Sequence, residues 1–64
     1  MRNELSAIEV TRYVRLYGPV NTTVLARIMR ETDARVYLAA KTAAHMGFIQ
    51  RLPESKQWCV VRVG

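Results

Sequence analysis

Sixty-four residues with ten basic and five acidic side chains, a net charge of +5 and an apolar share of 50% describe one small basic domain. At this size the core supplies only about 3 to 5 kcal/mol of net stability, which leaves little for a deep pocket or a strained catalytic site. The apolar share argues against disorder, and no segment approaches the ~18 apolar residues of a membrane span.

Helix 1 is expected over 3–17. Asn3 or Ser6 can cap its start, and Glu4 and Glu9 favour its N-terminal half. Gly18 and Pro19 stop it, because glycine accepts the left-handed cap and proline cannot continue a helix. Helical spacing puts Ala7, Val10, Tyr13, Val14 and Tyr17 on one face, which should meet the core. Leu5, Ile8 and Leu16 fall elsewhere, among Glu9, Arg12 and Arg15. This apolar surplus is either covered by returning strands or used as a contact between two copies.

After a short extended residue, Val20, helix 2 is expected over 22–30 with Asn21 or Thr22 as its N-cap. Leu25, Ile28 and Met29 line its inner side, and Ala26 allows close packing against a neighbouring helix. Thr32 and Asp33 form a new start signal, a threonine cap with an acid in the first turn. Helix 3 follows over 33–46, with Val36, Ala39, Ala40, Ala43 and Met46 facing the core and Gly47 as its stop. Two β-prone runs, Phe48 to Leu52 and Trp58 to Val63, form a ribbon over 48–63, joined by the polar tip Pro53 to Gln57. Trp58 should cover the edge of a thin core, with stacking on a base or a partner as its second possible role.

Helix, short turn, longer helix and a two-stranded ribbon make the pattern of a winged helix-turn-helix. The expected fold is mainly α with a small β-wing: three helices and a two- to three-stranded antiparallel ribbon in one domain over 1–64. Eight of the ten basic residues are Arg, whose guanidinium fork suits phosphate better than a point charge does. In such a fold the second helix of the pair enters the major groove of DNA. Off its core face, helix 3 leaves Ala34, Arg35, Tyr37, Leu38, Lys41, Thr42 and His45. Arg35 can fork onto guanine or clamp a phosphate, and Lys41 fits the backbone. Tyr37 and Thr42 can donate to phosphate or base, and Ala34 or Leu38 can touch a thymine methyl. The first amides and hydroxyls of helix 2, at Thr22 and Thr23, can bind a phosphate or simply cap the helix. Arg27 and Arg30 flank the turn, and Arg51 and Lys56 put positive charge on the wing. Pairing of Arg30 with Glu31 or Asp33 would compete, though an exposed pair contributes only about 0 to 1 kcal/mol.

Cys59, the single cysteine, lies in an apolar strand and reads as a buried structural thiol. His45 has no partner at metal-ligand spacing and suits the negative end of helix 3. No Ser/His/Asp set, carboxylate pair or phosphate-cradling glycine loop supports catalysis, so no enzyme activity, cofactor, metal or small-molecule ligand is expected. The N-terminus lacks an apolar run of signal-peptide type, and a cytoplasmic, nucleoid-associated protein is expected.

Over most of its length the chain resembles the small winged-helix regulators of fimbrial operons, the PapI/FaeA-like family. The likeness rests on NTTVLARIM as the first helix of the motif, on Thr32-Asp33 opening the second, and on Gly47-Phe48-Ile49-Gln50-Arg51 leading into the wing. It implies a bacterial transcription role in which a small protein helps a larger regulator bind chosen DNA sites. It also implies Arg35, Tyr37, Lys41 and Thr42 as the contact positions. The alanine-rich helix 3 departs from the larger apolar residues usual in that family. The expectation is a double-stranded DNA-binding regulator of bacterial, phage or plasmid type, acting as a homodimer or beside a larger protein. The alternatives are an excisionase-like DNA-bending factor and a winged helix that docks on protein. Z-form nucleic-acid binders also carry a wing tryptophan, but normally after prolines, whereas Ser55-Lys56-Gln57 precedes Trp58 here.

Overall fold

The computed structural model describes residues 5–61. Three helices, α1 (Ala7–Tyr17), α2 (Thr22–Met29) and α3 (Asp33–His45), precede the antiparallel pair β1 (Ile49–Arg51) and β2 (Trp58–Val60). Val20 forms an antiparallel bridge with Trp58 on the other edge of β2, through N–H···O bonds of 3.1 and 2.7 Å in the two directions. The ribbon is therefore a hairpin with a one-residue third strand. This is a winged helix-turn-helix. No helix among the described residues is long and apolar enough to cross a membrane.

Each helix start is capped by a side chain. Ser6 caps α1 in a capping box: its hydroxyl accepts from the Ile8 amide, and Glu9 reaches back to the Ser6 amide. Helix 1 thus starts at Ala7, later than the pattern suggested, because the reciprocal Ser6–Glu9 bonds fix the first turn there. The alternative cap Asn3 lies outside the described residues. Asn21 caps α2 by accepting from the Val24 amide, and Thr32 caps α3 by accepting from the Arg35 amide.

Two helix ends share one geometry. At the end of α3, Gly47 has φ +86°, its amide donates to the Ala44 carbonyl, and the Phe48 amide donates to the Ala43 carbonyl. At the end of α2, Arg30 has φ +59°, its amide donates to the Arg27 carbonyl, and the Glu31 amide donates to the Ala26 carbonyl. Both are Schellman ends, which need one left-handed residue. Glycine adopts that conformation freely, whereas a residue with a Cβ loses about 1 to 2 kcal/mol there. The wing tip repeats the device: Lys56, at φ +59°, closes the four-residue loop Pro53 to Lys56 between Leu52 and Gln57.

The core comprises Val10 and Val14 from α1, Leu25 and Ala26 from α2, Val36, Ala39, Ala40 and Ala43 from α3, and Val20, Ile49 and Trp58 from the strands. No polar or charged residue is buried among them. The alanines of α3 let α1 and α2 pack close to its axis, as their spacing suggested. Two helix-face assignments change. Tyr17 and Met46 are 54% and 55% exposed instead of buried, because each stands at a helix end, past the last turn that the core covers. On α1 the strands do not cover Ile8 and Leu16, which remain 59% and 72% exposed, while Leu5 does pack on the core. Cys59 is half-buried and not buried: it lies opposite Gln50, whose amide nitrogen is 3.7 Å from its sulfur. Strand alternation turns it to the face away from Trp58.

The two Schellman ends give a paired prediction. Arg30→Gly should raise stability by about 0.5 to 1 kcal/mol, and Gly47→Ala should lower it by about 1 kcal/mol, since a Cβ at Gly47 meets no neighbour within 4 Å and only the backbone conformation is strained. Thermal unfolding should move by about 4 to 8 °C per kcal/mol. Equal melting temperatures for Arg30→Gly and wild type would contradict the strain at Arg30.

Candidate nucleic-acid interface

The exposed side of α3 divides into three strips by helical spacing. Tyr37, Lys41, Ala44 and His45 form the strip next to the wing. Ala34 and Leu38 form the middle, and Leu38 is 65% exposed. Arg35 and Thr42 lie on the far side, toward α2. There Arg35 pairs with Glu31 at 3.2 Å, in place of the Arg30 pairing considered from the sequence. Arg35 is exposed and Glu31 partly so, so the pair contributes little to stability, but it orients the guanidinium at the first turn of α3. The Thr42 hydroxyl donates to the Leu38 carbonyl at 3.0 Å. That bond occupies its proton and leaves the oxygen as an acceptor.

The wing-side strip is the most organised part of the surface. Trp58 is 2% exposed, and its ring meets Tyr37 edge-on, with centroids 6.3 Å apart and planes at 61°. The indole is therefore a core residue, and burial removes the base-stacking role considered for it. Arg51 stands directly across from Trp58 in the hairpin register. Its guanidinium carbon is 5.3 Å from the Trp58 ring and 5.6 Å from the Tyr37 ring, and its Nε donates to the Lys56 carbonyl at 3.4 Å. Lys41 Nζ is 5.6 Å from the same Tyr37 ring. Contacts of this length are favourable cation–π interactions, about 0.5 to 1 kcal/mol each at exposed sites. Tyr37, Lys41, Ala44, His45, Arg51 and Trp58 line one shallow surface depression, and no carboxylate is among them.

The threonines at the start of α2 serve the fold. Thr22 Oγ1 accepts the Trp58 indole N–H at 2.9 Å, and the Thr23 hydroxyl donates to Asp33 Oδ2 at 3.0 Å. Thr22 thus ties α2 to the wing, and Thr23 ties α2 to the first turn of α3. Arg27 and Arg30 are exposed along α2 and its end, and Lys56 is exposed at the wing tip. None of these three joins the depression.

Three structural links escaped the sequence analysis: Trp58 to Thr22, Thr23 to Asp33, and Arg51 to Tyr37. The last had a usable signal. Counting outward from the Pro53 to Lys56 tip puts Arg51 opposite Trp58, and Tyr37, Lys41 and His45 recur at helical spacing on one stripe. The first two pair residues that are distant in the chain and carry no periodic signal. Comparison of the chain with protein-family models, with curated proteins and with solved structures finds no match.

The Trp58–Thr22 bond has a direct test. Thr22→Val keeps the shape but leaves the part-buried indole N–H without an acceptor, which should lower stability by about 1 to 3 kcal/mol, while Thr22→Ser should stay within about 0.5 kcal/mol of wild type. Urea unfolding followed by the fluorescence of Trp58 measures both. A valine variant as stable as the serine one would show that the bond does not hold the wing.

Proposed function

We propose that this chain is a double-stranded DNA-binding module, with α3 in the major groove and the wing on the phosphate backbone. It requires neither cofactor nor catalytic step in that role. The observation that carries the reading is the wing-side depression, where Lys41 and Arg51 flank one tyrosine ring with no carboxylate among the lining residues. Arg35 adds a third cation at the first turn of α3, where base edges are met in this class of fold. Ala34 and Leu38 between them offer apolar contacts suited to a thymine methyl. Arg27, Arg30 and Lys56 supply flanking charge. Transcription regulation in a bacterium, phage or plasmid is the setting that suits such a module. One copy reads few base pairs, so specificity would come from a second copy or a larger regulator.

Docking on a protein is the second reading, and one observation favours it. Thr23, Val24, Arg27 and Ile28 line a mainly apolar depression on α2, away from the cationic strip. The two readings differ in salt dependence. Contact with four to six phosphates gives a log–log salt slope of about −4 to −5, whereas a mainly apolar protein surface gives almost none.

The double variant Arg35→Glu, Lys41→Glu should keep its helical circular dichroism and lose about 30-fold or more in duplex affinity, since each contact is worth about 1 to 3 kcal/mol. Shift mapping by NMR with a pool of random duplexes at two salt concentrations should mark α3 and the wing. A folded double variant that binds duplex normally would exclude this mechanism, and an absence of shifts at low salt would favour the protein partner.

A further inference from the structure

Two cations share one ring at the junction of α3 and the wing. Lys41 Nζ and the Arg51 guanidinium carbon each lie 5.6 Å from the centre of Tyr37. Like charges held near each other repel, and an ion pair with a nearby acid would be the usual relief. Among the described residues neither cation has such a partner: the one ion pair there joins Arg35 to Glu31. Arg51 is nevertheless held in place, by two rings and by the bond from its Nε to the Lys56 carbonyl. That bond uses one guanidinium nitrogen and leaves the two terminal nitrogens for an outside acceptor. Lys41, Arg51 and His45 line the same depression, whose floor includes the half-exposed edge of Tyr37 and the buried Trp58.

From this geometry we propose that Lys41 and Arg51 grip one and the same backbone phosphate, in the depression over Tyr37. The proposal rests on the DNA-binding reading and makes it narrower. A phosphodiester offers two non-bridging oxygens, one for the ammonium and one for the guanidinium fork. Tyr37 acts as a positioning residue through its ring, against which both cations rest. Its hydroxyl is not needed for this. The backbone then crosses the protein between the C-terminal half of α3 and β1, and Arg35 is left to the other side of the groove.

The salt slope counts phosphates, which gives a direct test. Duplex affinity is measured across salt for wild type, Lys41→Gln, Arg51→Gln and the double variant. One shared phosphate predicts that the double variant loses about 1 unit of slope, because each neutralised phosphate contributes about 0.9. A loss of about 2 units means two separate phosphates and overturns the shared grip, as does no loss at all. Tyr37→Leu should bind about threefold to tenfold more weakly than Tyr37→Phe, which keeps the ring, with melting temperatures followed to separate folding from binding. Equal affinity for the leucine variant overturns the positioning role. Inorganic phosphate, titrated into wild type and the double variant by NMR, tests the subsite without DNA. Shifts at Lys41, Arg51 and the Trp58 indole that vanish in the double variant support it, and their absence in wild type overturns it. Failure of wild type to bind duplex, with the phosphate shifts present, would remove the DNA reading and leave the anion subsite standing.

Discussion

The buried indole of Trp58 is the element on which the rest of this small structure depends. Its backbone pairs with Val20 on one side and stands opposite Arg51 on the other. Its N–H donates to Thr22 at the start of α2, and its ring meets Tyr37 of α3. One side chain thereby links the hairpin to both helices of the helix-turn-helix. A two-stranded hairpin alone is marginal in water. Here the hairpin gains a third strand residue, a buried aromatic and a hydrogen bond, and these convert a loose flap into part of the core. The same residue sets where Arg51 stands, so the stability of the wing and the position of its cation have one cause.

The remainder of the core is built from small residues. Leu25, Ile49 and three valines are the largest fully buried side chains, and α3 offers mainly alanine to its neighbours. Alanine gives α3 high helix propensity and lets the other helices approach closely, but it buries little area per residue. The consequence is that modest local contributions become large relative to the total. Caps at Ser6, Asn21 and Thr32 and the glycine end at Gly47 are each worth about 1 kcal/mol, a sizeable fraction of the whole. Arg30 works against this trend, since it holds a left-handed conformation that glycine would adopt without strain. What it offers in return is a positive charge at the turn between α2 and α3. Local stability and surface charge pull in opposite directions at that position.

Much of the fold was legible in the sequence because its signals are local. Caps, glycine stops and the alanine stripe are read from spacings of three or four residues, and they placed α2 and α3 nearly to the residue. Errors occurred where the outcome depends on how far a neighbour extends. Tyr17 and Met46 continue their helical stripes, but the core ends before reaching them. Ile8 and Leu16 had two readings, strand cover or a contact between two copies, and β2 packs on α1 without covering either of them. The candidate site was half legible. Helical spacing separated Tyr37, Lys41 and Arg35 from the core face, yet it treated them as one uniform surface. What divides them into a wing side and an α2 side is tertiary: Trp58 draws Tyr37 and Arg51 together, and Glu31 draws Arg35 away.

That division has a consequence for recognition. Binding loses affinity to every side chain that must be ordered on contact, by about 0.5 to 1.5 kcal/mol for a long flexible one. Lysine and arginine are the costliest of these in entropy. In this chain Arg51 is already held against two rings and a carbonyl, Lys41 rests on the same tyrosine, and Arg35 is steered by Glu31. These three cations are restrained before any partner arrives. Under the proposed reading, such preorganisation lowers the entropy that a few charges on a small domain lose on meeting a polyanion. On that reading the wing and α3 act together, because Tyr37 seats Lys41 and Arg51 on one ring and Trp58 holds that ring and Arg51 beside each other.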